Sequence, residues 1–361
     1  MKCFQTKIGK TPSVVTSETS TRIATMSFLC ALLVILIHTD RAPVEGTLSA
    51  LLFSMGFIIT RIAVPFFFCV AGYFLAGHTC DRGWYSQETK KRVKTLLVPM
   101  WIGSLITFIW SAPLILLANL YHNEALLRNF PQNAADWLTI AALNPLENPL
   151  TPFWFLRTLF VFVVLSPLLV FFVRRSKYGA IGCVLLTYCA YSAFTYGVTN
   201  GAIQEESWLK EVLTWLFSLR DLFFFTVGIA IRYYPIHLPK KLTVRLAFGM
   251  LAFLVVILSW YFHIKVFVFL PILTLCIYLA MPIKPLSSSL TKNTFAIYLL
   301  HMLPLSLANL IIKNVPSLSC LQTSVFGWLF VGCSTMFICV IACNGLRKIF
   351  PRFSKMLFGG R

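Results

Sequence analysis

Between Ile23 and Cys343 the chain keeps returning to one pattern, a long apolar run closed by a short polar break. About 20 apolar residues, wound as an α-helix, cover the hydrocarbon thickness of a bilayer, and a helix satisfies its own backbone polar groups there. Ten such segments are read, at 23–39, 48–77, 95–119, 152–173, 179–199, 209–233, 242–262, 266–283, 293–312 and 322–345. The predicted fold class is all-α: a polytopic helical membrane protein of about ten transmembrane helices. The second segment is long for one span and is predicted to break near Arg61 or Pro65. Composition agrees, with 58% hydrophobic and 12% charged residues, where soluble domains carry about 25% charge. Such hydrophobicity excludes a disordered chain. The length of 361 residues excludes a small disulfide-stapled secreted domain.

The net charge of +19 is read as a topology signal, with no nucleic-acid partner. With the N-terminus inside, 23 of the Lys and Arg residues fall on the cytoplasmic side and 5 outside. That asymmetry supports ten spans with both termini cytoplasmic. The layout is then a tail at 1–22, a membrane domain at 23–345 and a basic cytoplasmic tail at 346–361. No signal peptide is read in the polar start. The loop at 120–151, with His122, Glu124, Arg128, Asp136, Trp137, Asn144 and Glu147, is too small for a domain and is read as a lid or rim. Eleven cysteines form no CxxC pair and mostly sit in apolar runs, as small hydrophobes do. No metal site is expected.

Ionisable groups inside apolar segments are costly and mark either function or structural pairing. His38, in LVILIHTDR, ends the first segment. It is a candidate base, with Asp40 next to it to orient or tune it, or else an interfacial helix cap. Arg61 falls near mid-membrane and needs an anion or carbonyl oxygens. Arg157 lies just inside the outer face and could snorkel. Arg220 and Asp221 are adjacent, so on a helix they point about 100° apart and do not simply pair with each other; Asp221 could reach an Arg on another helix, and a structural ion pair is the favoured reading. His301, with Tyr298 one turn earlier, is a candidate site residue or an interhelical hydrogen-bonding group. Lys90, Lys91, Arg92 and Lys94 could meet nucleotide phosphates or simply follow the positive-inside rule. No phosphate-binding loop and no hydrolase or metalloprotease motif is present.

These fragments, taken in order, resemble the acyltransferase-3 family of membrane O-acyltransferases. VILIHTD ends the first helix at His38 and Asp40, and RIAVPFFFCVAGYFL runs from Arg61 to Leu75. KKRVKTLLVPMW opens the third segment, WFLRTLFVFVVLSPL runs from Trp154 to Leu168, and FAIYLLH runs from Phe295 to His301. The family often has Arg or Lys eleven positions before the histidine; here that residue is Ser27, and Ala71 replaces the usual Ser before Gly72. The resemblance implies acyl transfer from acyl-CoA, often acetyl-CoA, to a hydroxyl or amine of a glycan or lipid-linked acceptor. No permanently bound cofactor is implied. It makes His38 the central catalytic residue, as base or acyl carrier, with Asp40 beside it. Arg61, Lys90, Lys91 and Arg92 are then the expected cofactor contacts. Arg157, Tyr73, His301 and Tyr298 are the expected acceptor contacts. The default location is a prokaryotic plasma or inner membrane, among membrane lipids. A transporter or flippase for a lipid-linked saccharide is the other reading of intramembrane arginine with a long outer loop.

Overall fold

The computed structural model describes residues 11–42, 48–77, 84–120, 153–199, 220–236, 241–262, 269–280 and 286–360. Among these, every regular element is helical. The main helices are α1 (Ser17–His38), α2 (Leu48–Thr60), α3 (Ala63–Leu75), α4 (Trp84–Arg92) and α5 (Val98–Leu120). They continue as α6 (Trp154–Arg175), α7 (Lys177–Thr199), α8 (Leu222–Tyr233), α9 (Leu242–Tyr261) and α10 (Leu270–Ala280). The last four are α11 (Thr294–Leu300), α12 (Met302–Asn314), α13 (Val325–Ile349) and α14 (Pro351–Leu357). Helix falls in each of the ten apolar segments. Among the described residues, six stretches are long and apolar enough to cross a membrane, and the pair made by residues 288–300 and α12, bent by 61°, makes a seventh if it is one span. The chain is a multi-pass membrane protein. The loop from residue 121 to 152 lies outside the described residues.

Proline explains where these helices break. A proline lacks the N–H that would bond the carbonyl four residues back, and its ring crowds that carbonyl. Pro65 stands four residues after Arg61, where α2 gives way to α3 through a turn at Arg61 and Ile62. Pro99 stands four after Thr95, inside a π-helical turn at Val93–Leu97 that joins α4 to α5. Pro304 stands four after Leu300, beside the bend at His301. Pro167 leaves α6 unbroken, because the Ser166 hydroxyl donates to the freed Val163 carbonyl at 2.7 Å. The break read near Arg61 or Pro65 is therefore at Arg61, with Pro65 as its cause.

The described helices divide into two compact units. The first comprises residues 1–20, 64–89 and 161–282. In it α3 and α8 cross with backbones in contact. A Cβ on Gly72 would run into the Phe225 carbonyl, and one on Gly228 into the Cys69 carbonyl. Small residues permit such approaches between membrane helices. Around the crossing, Phe68, Phe162 and Phe225 pack with ring centroids 5.1 and 5.5 Å apart. Arg220 and Asp221 pair with each other, Nη2 to Oδ2 at 3.1 Å. The ion pair is thus structural, as read, but the expectation that the two do not pair with each other is corrected. Helical spacing does not apply there, since Asp221 (φ −81°, ψ 0°) is the cap that precedes α8.

The second unit comprises residues 21–63, 90–160 and 283–361. Its core joins Ala31 and Ile35 of α1 to Ile297, Leu305, Val331, Met336 and Cys339. The Trp328 indole donates to the Leu36 carbonyl at 3.1 Å, and Gly332 lets α13 close onto Leu36. The stretch read as a basic C-terminal tail is helical and anchored. Leu357 and Phe358 are fully buried, with the Arg347 guanidinium 5.2 Å from the centre of the Phe358 ring.

Candidate active site

The end of α1, the α2–α3 break and the α11–α12 bend bring their residues together in the second unit. His38 is the last residue of α1, and its ring centroid lies 5.7 Å from that of His301, the planes tilted by 43°. The sequence puts these residues more than 260 positions apart, yet the two imidazoles are neighbours. The bend exists because Pro304 interrupts the hydrogen-bond ladder, and it leaves His301 at a discontinuity inside an apolar helix. Broken helices of this kind supply polar groups to membrane cavities.

His301 is fully buried. Its Nδ1 lies 2.7 Å from the Tyr298 carbonyl and 3.3 Å from that of Ile297. A carbonyl only accepts, so Nδ1 carries a proton and donates it there. Nε2 is then the atom left to exchange a proton, and it is buried with no hydrogen-bond partner among the described residues. Tyr298 packs between Phe155, at 5.5 Å, and His301, at 6.3 Å between centroids. Arg157 is buried, two residues on from Phe155.

Two guanidiniums lie over one ring beside this pair. Arg61 sits 4.0 Å and Arg41 4.4 Å from the centre of Phe57. Phe57 stands in the last turn of α2, four residues before Arg61. The Arg61 charge is within electrostatic reach of His38. The arrangement combines two imidazole nitrogens with a cationic wall, suited to moving a proton next to a developing negative charge.

Two contributors escaped the sequence reading. Arg41 was counted only as a loop charge. Asn309, a lone amide in the apolar run LPLSLANLII, clamps the end of α1. Its Nδ2 donates to the His38 carbonyl at 3.0 Å, and its Oδ1 accepts from the Asp40 N–H at 3.3 Å. Among the described residues no hydrogen bond joins the Asp40 carboxylate to His38. Burial pushes the Asp40 carboxyl above its usual range, against the charge of Lys313.

Tyr73 belongs to the first unit, where its hydroxyl accepts from Arg232 Nη1 at 3.2 Å and the guanidinium sits 4.9 Å above its ring. Lys91 lines a basic cavity of about 510 Å³. Lys90 and Arg92 are not among its lining residues.

Comparison with known proteins matches this architecture to a family. An acyltransferase domain, that of the acyltransferase-3 family, matches residues 25–343. The chain belongs to that family. An amino-acid racemase of Enterococcus faecalis is 24% identical over 340 residues, which are 88% of this chain and 45% of that protein. The chain thus spans about half the length of this curated relative. No solved structure matches.

Proposed function

We propose that the chain moves an acyl group from acyl-CoA to a hydroxyl or amine of a glycan or lipid-linked acceptor, within a prokaryotic plasma or inner membrane. Acetyl is the favoured acyl group. The observation that carries this reading is the pair of imidazoles at the end of α1 with two arginines beside it. A thioester is already activated, so the protein needs mainly a base, a geometry and a stabiliser for the oxyanion.

Both routes open to His38 use these groups. As a base, His38 takes the proton from the acceptor hydroxyl while its oxygen attacks the thioester carbonyl. The C–S bond breaks, and the CoA thiolate leaves and takes up that proton. As a carrier, a His38 nitrogen attacks the thioester carbonyl, the C–S bond breaks, the CoA thiolate leaves and takes the proton of the other His38 nitrogen, and the acceptor then attacks the acyl-imidazole and displaces His38, which regains a proton. There the bare Nε2 of His301 takes the acceptor's proton. Arg61 and Arg41 face the negative charge on the carbonyl oxygen in either case.

Purified protein in nanodiscs, given labelled acetyl-CoA and a lipid-linked saccharide, tests the proposal. Release of CoA with label on the saccharide is the expected result. Folded protein that binds no CoA, but speeds movement of the saccharide across liposome membranes, would instead make it a flippase. In the same assay Asn309→Ala should lower kcat by about 10- to 100-fold, because small misplacements of a catalytic group are costly. The KM for acetyl-CoA should hardly move. An Asn309→Ala enzyme whose KM rises while kcat holds would remove the positioning role.

A further inference from the structure

We infer that the C-terminal segment completes a phosphate-binding pocket, and that this pocket holds the nucleotide end of acyl-CoA. The inference rests on the acyl-transfer reading above and names the donor's site. Its walls come from two distant parts of the second unit. Lys91, Lys94 and Thr95 come from the junction of α4 and α5; Arg352, Lys355 and Gly359 come from α14 and the turn after it. The cavity of about 510 Å³ falls within the roughly 300–1,000 Å³ of small-molecule sites.

Its chemistry is one-sided. Four cations line it and no acidic side chain does, among the described residues. Arginine and lysine on opposite walls suit a ligand with several phosphates, as CoA has. A second observation also points to a ligand. The Thr95 hydroxyl oxygen is buried and has no hydrogen-bond partner among the described residues. It lies in the π-helical turn Val93–Leu97, and such turns recur at functional sites.

The segment is shaped for this approach. After α14, Gly360 N–H donates to the Lys355 carbonyl at 2.7 Å and Gly359 N–H to that of Met356 at 3.3 Å. That is a Schellman close, with the chain turned by left-handed residues at Gly359 (φ 64°) and Gly360 (φ 78°). A Cβ at Gly359 would stand 2.8 Å from the Thr95 carbonyl, so only glycine lets the turn close this wall. The burial of Leu357 and Phe358 fixes the segment in place.

The span to the imidazoles also suits the donor. His301 lies between Ile297 and Leu305, which pack with Met336 of α13. From Met336 to the end of α13 at Ile349 is about 20 Å along the helix. CoA carries its thioester on a long pantetheine arm, away from its phosphates, which suits a donor held at one end of the helix bundle and reacting deeper within it.

The test uses full-length protein in phosphatidylcholine nanodiscs, titrated with CoA and with pantetheine. The double variant Arg352→Gln/Lys355→Gln should weaken CoA binding by about 30-fold or more, with weak pantetheine binding unchanged. Arg352→Lys/Lys355→Arg should restore most of the affinity, and unchanged thermal midpoints would show that both variants fold. Wild-type CoA affinity should fall steeply with salt, and the Gln variant's less so. Wild-type binding with no loss in the Gln variant would overturn this pocket and leave the acyl-transfer reading standing. In protein purified with phosphatidylglycerol before reconstitution, loss of that lipid from the Gln variant without loss of CoA binding would also overturn it, making the cavity a lipid-headgroup site. No CoA binding by the wild type would overturn both.

Discussion

His38→Ala is expected to lower acyl transfer by about 10³-fold, within the range a positioned base contributes, while CoA binding persists. The protein should still fold. The contact that anchors this end of α1 is made by the His38 backbone carbonyl with Asn309, and it survives removal of the ring. His301 calls for a subtler change, because it is fully buried and alanine would leave a cavity. His301→Asn keeps an amide donor for the Tyr298 carbonyl and removes the nitrogen that would take a proton. It should cost about 100-fold in kcat if that nitrogen works as a base. Rapid quench with labelled acetyl-CoA separates the routes. Label trapped on wild-type protein, absent from His38→Ala and accumulating in His301→Asn, is the pattern of a carrier followed by a base. Near-normal turnover by His38→Ala would end its catalytic assignment.

Gly228→Ala is expected to destabilise the first unit by about 3 kcal/mol or more, at the upper end of overpacking costs. The added methyl would meet the Cys69 carbonyl and the Tyr73 backbone nitrogen. Backbone cannot swing aside as a flexible side chain can, so α3 and α8 would have to separate. Gly182→Ala is the matched control. It too lies in a helix, but nothing lies within 4 Å of the added carbon. Alanine exceeds glycine in helix propensity by about 1 kcal/mol, so Gly182→Ala should leave stability unchanged or raise it. Thermal midpoints and the monodisperse fraction in detergent would measure both. Equal behaviour of the two variants would mean that the crossing is looser than the described geometry.

The sequence carried the helical class, the membrane setting and the approximate segments, because the period and length of apolar runs are local properties. It also carried the break at Arg61, since Pro65 acts on a carbonyl only four residues away. The same rule applied to Pro304 and Pro99 would have flagged the discontinuities at His301 and Thr95. His38 and Arg61 stood out as polar groups in apolar surroundings, a cost legible without coordinates. Asn309 was hidden because an amide in a membrane helix has many uses. Its role depends on the α1 end that it faces.

One local signal misled. Adjacency suggested that Arg220 and Asp221 would not pair, which holds inside a helix and fails at the cap where α8 begins. Tyr73 is a site residue by the resemblance alone, and the structure adds that its hydroxyl accepts from Arg232. The residues after 345 read as a basic tail by charge, and the packing adds that Leu357 and Phe358 bury that end.

By itself, then, the sequence determined what each segment is: apolar helix, proline break, or polar group carried at a cost into the membrane. Only the tertiary structure decided which of them meet. His38 and His301, Arg41 and Arg61 over one ring, and Lys91 with Arg352 are each brought together by packing between helices far apart in the chain. Such encounters depend on side-chain volumes and close glycine contacts summed over the whole core, and no local pattern records that sum.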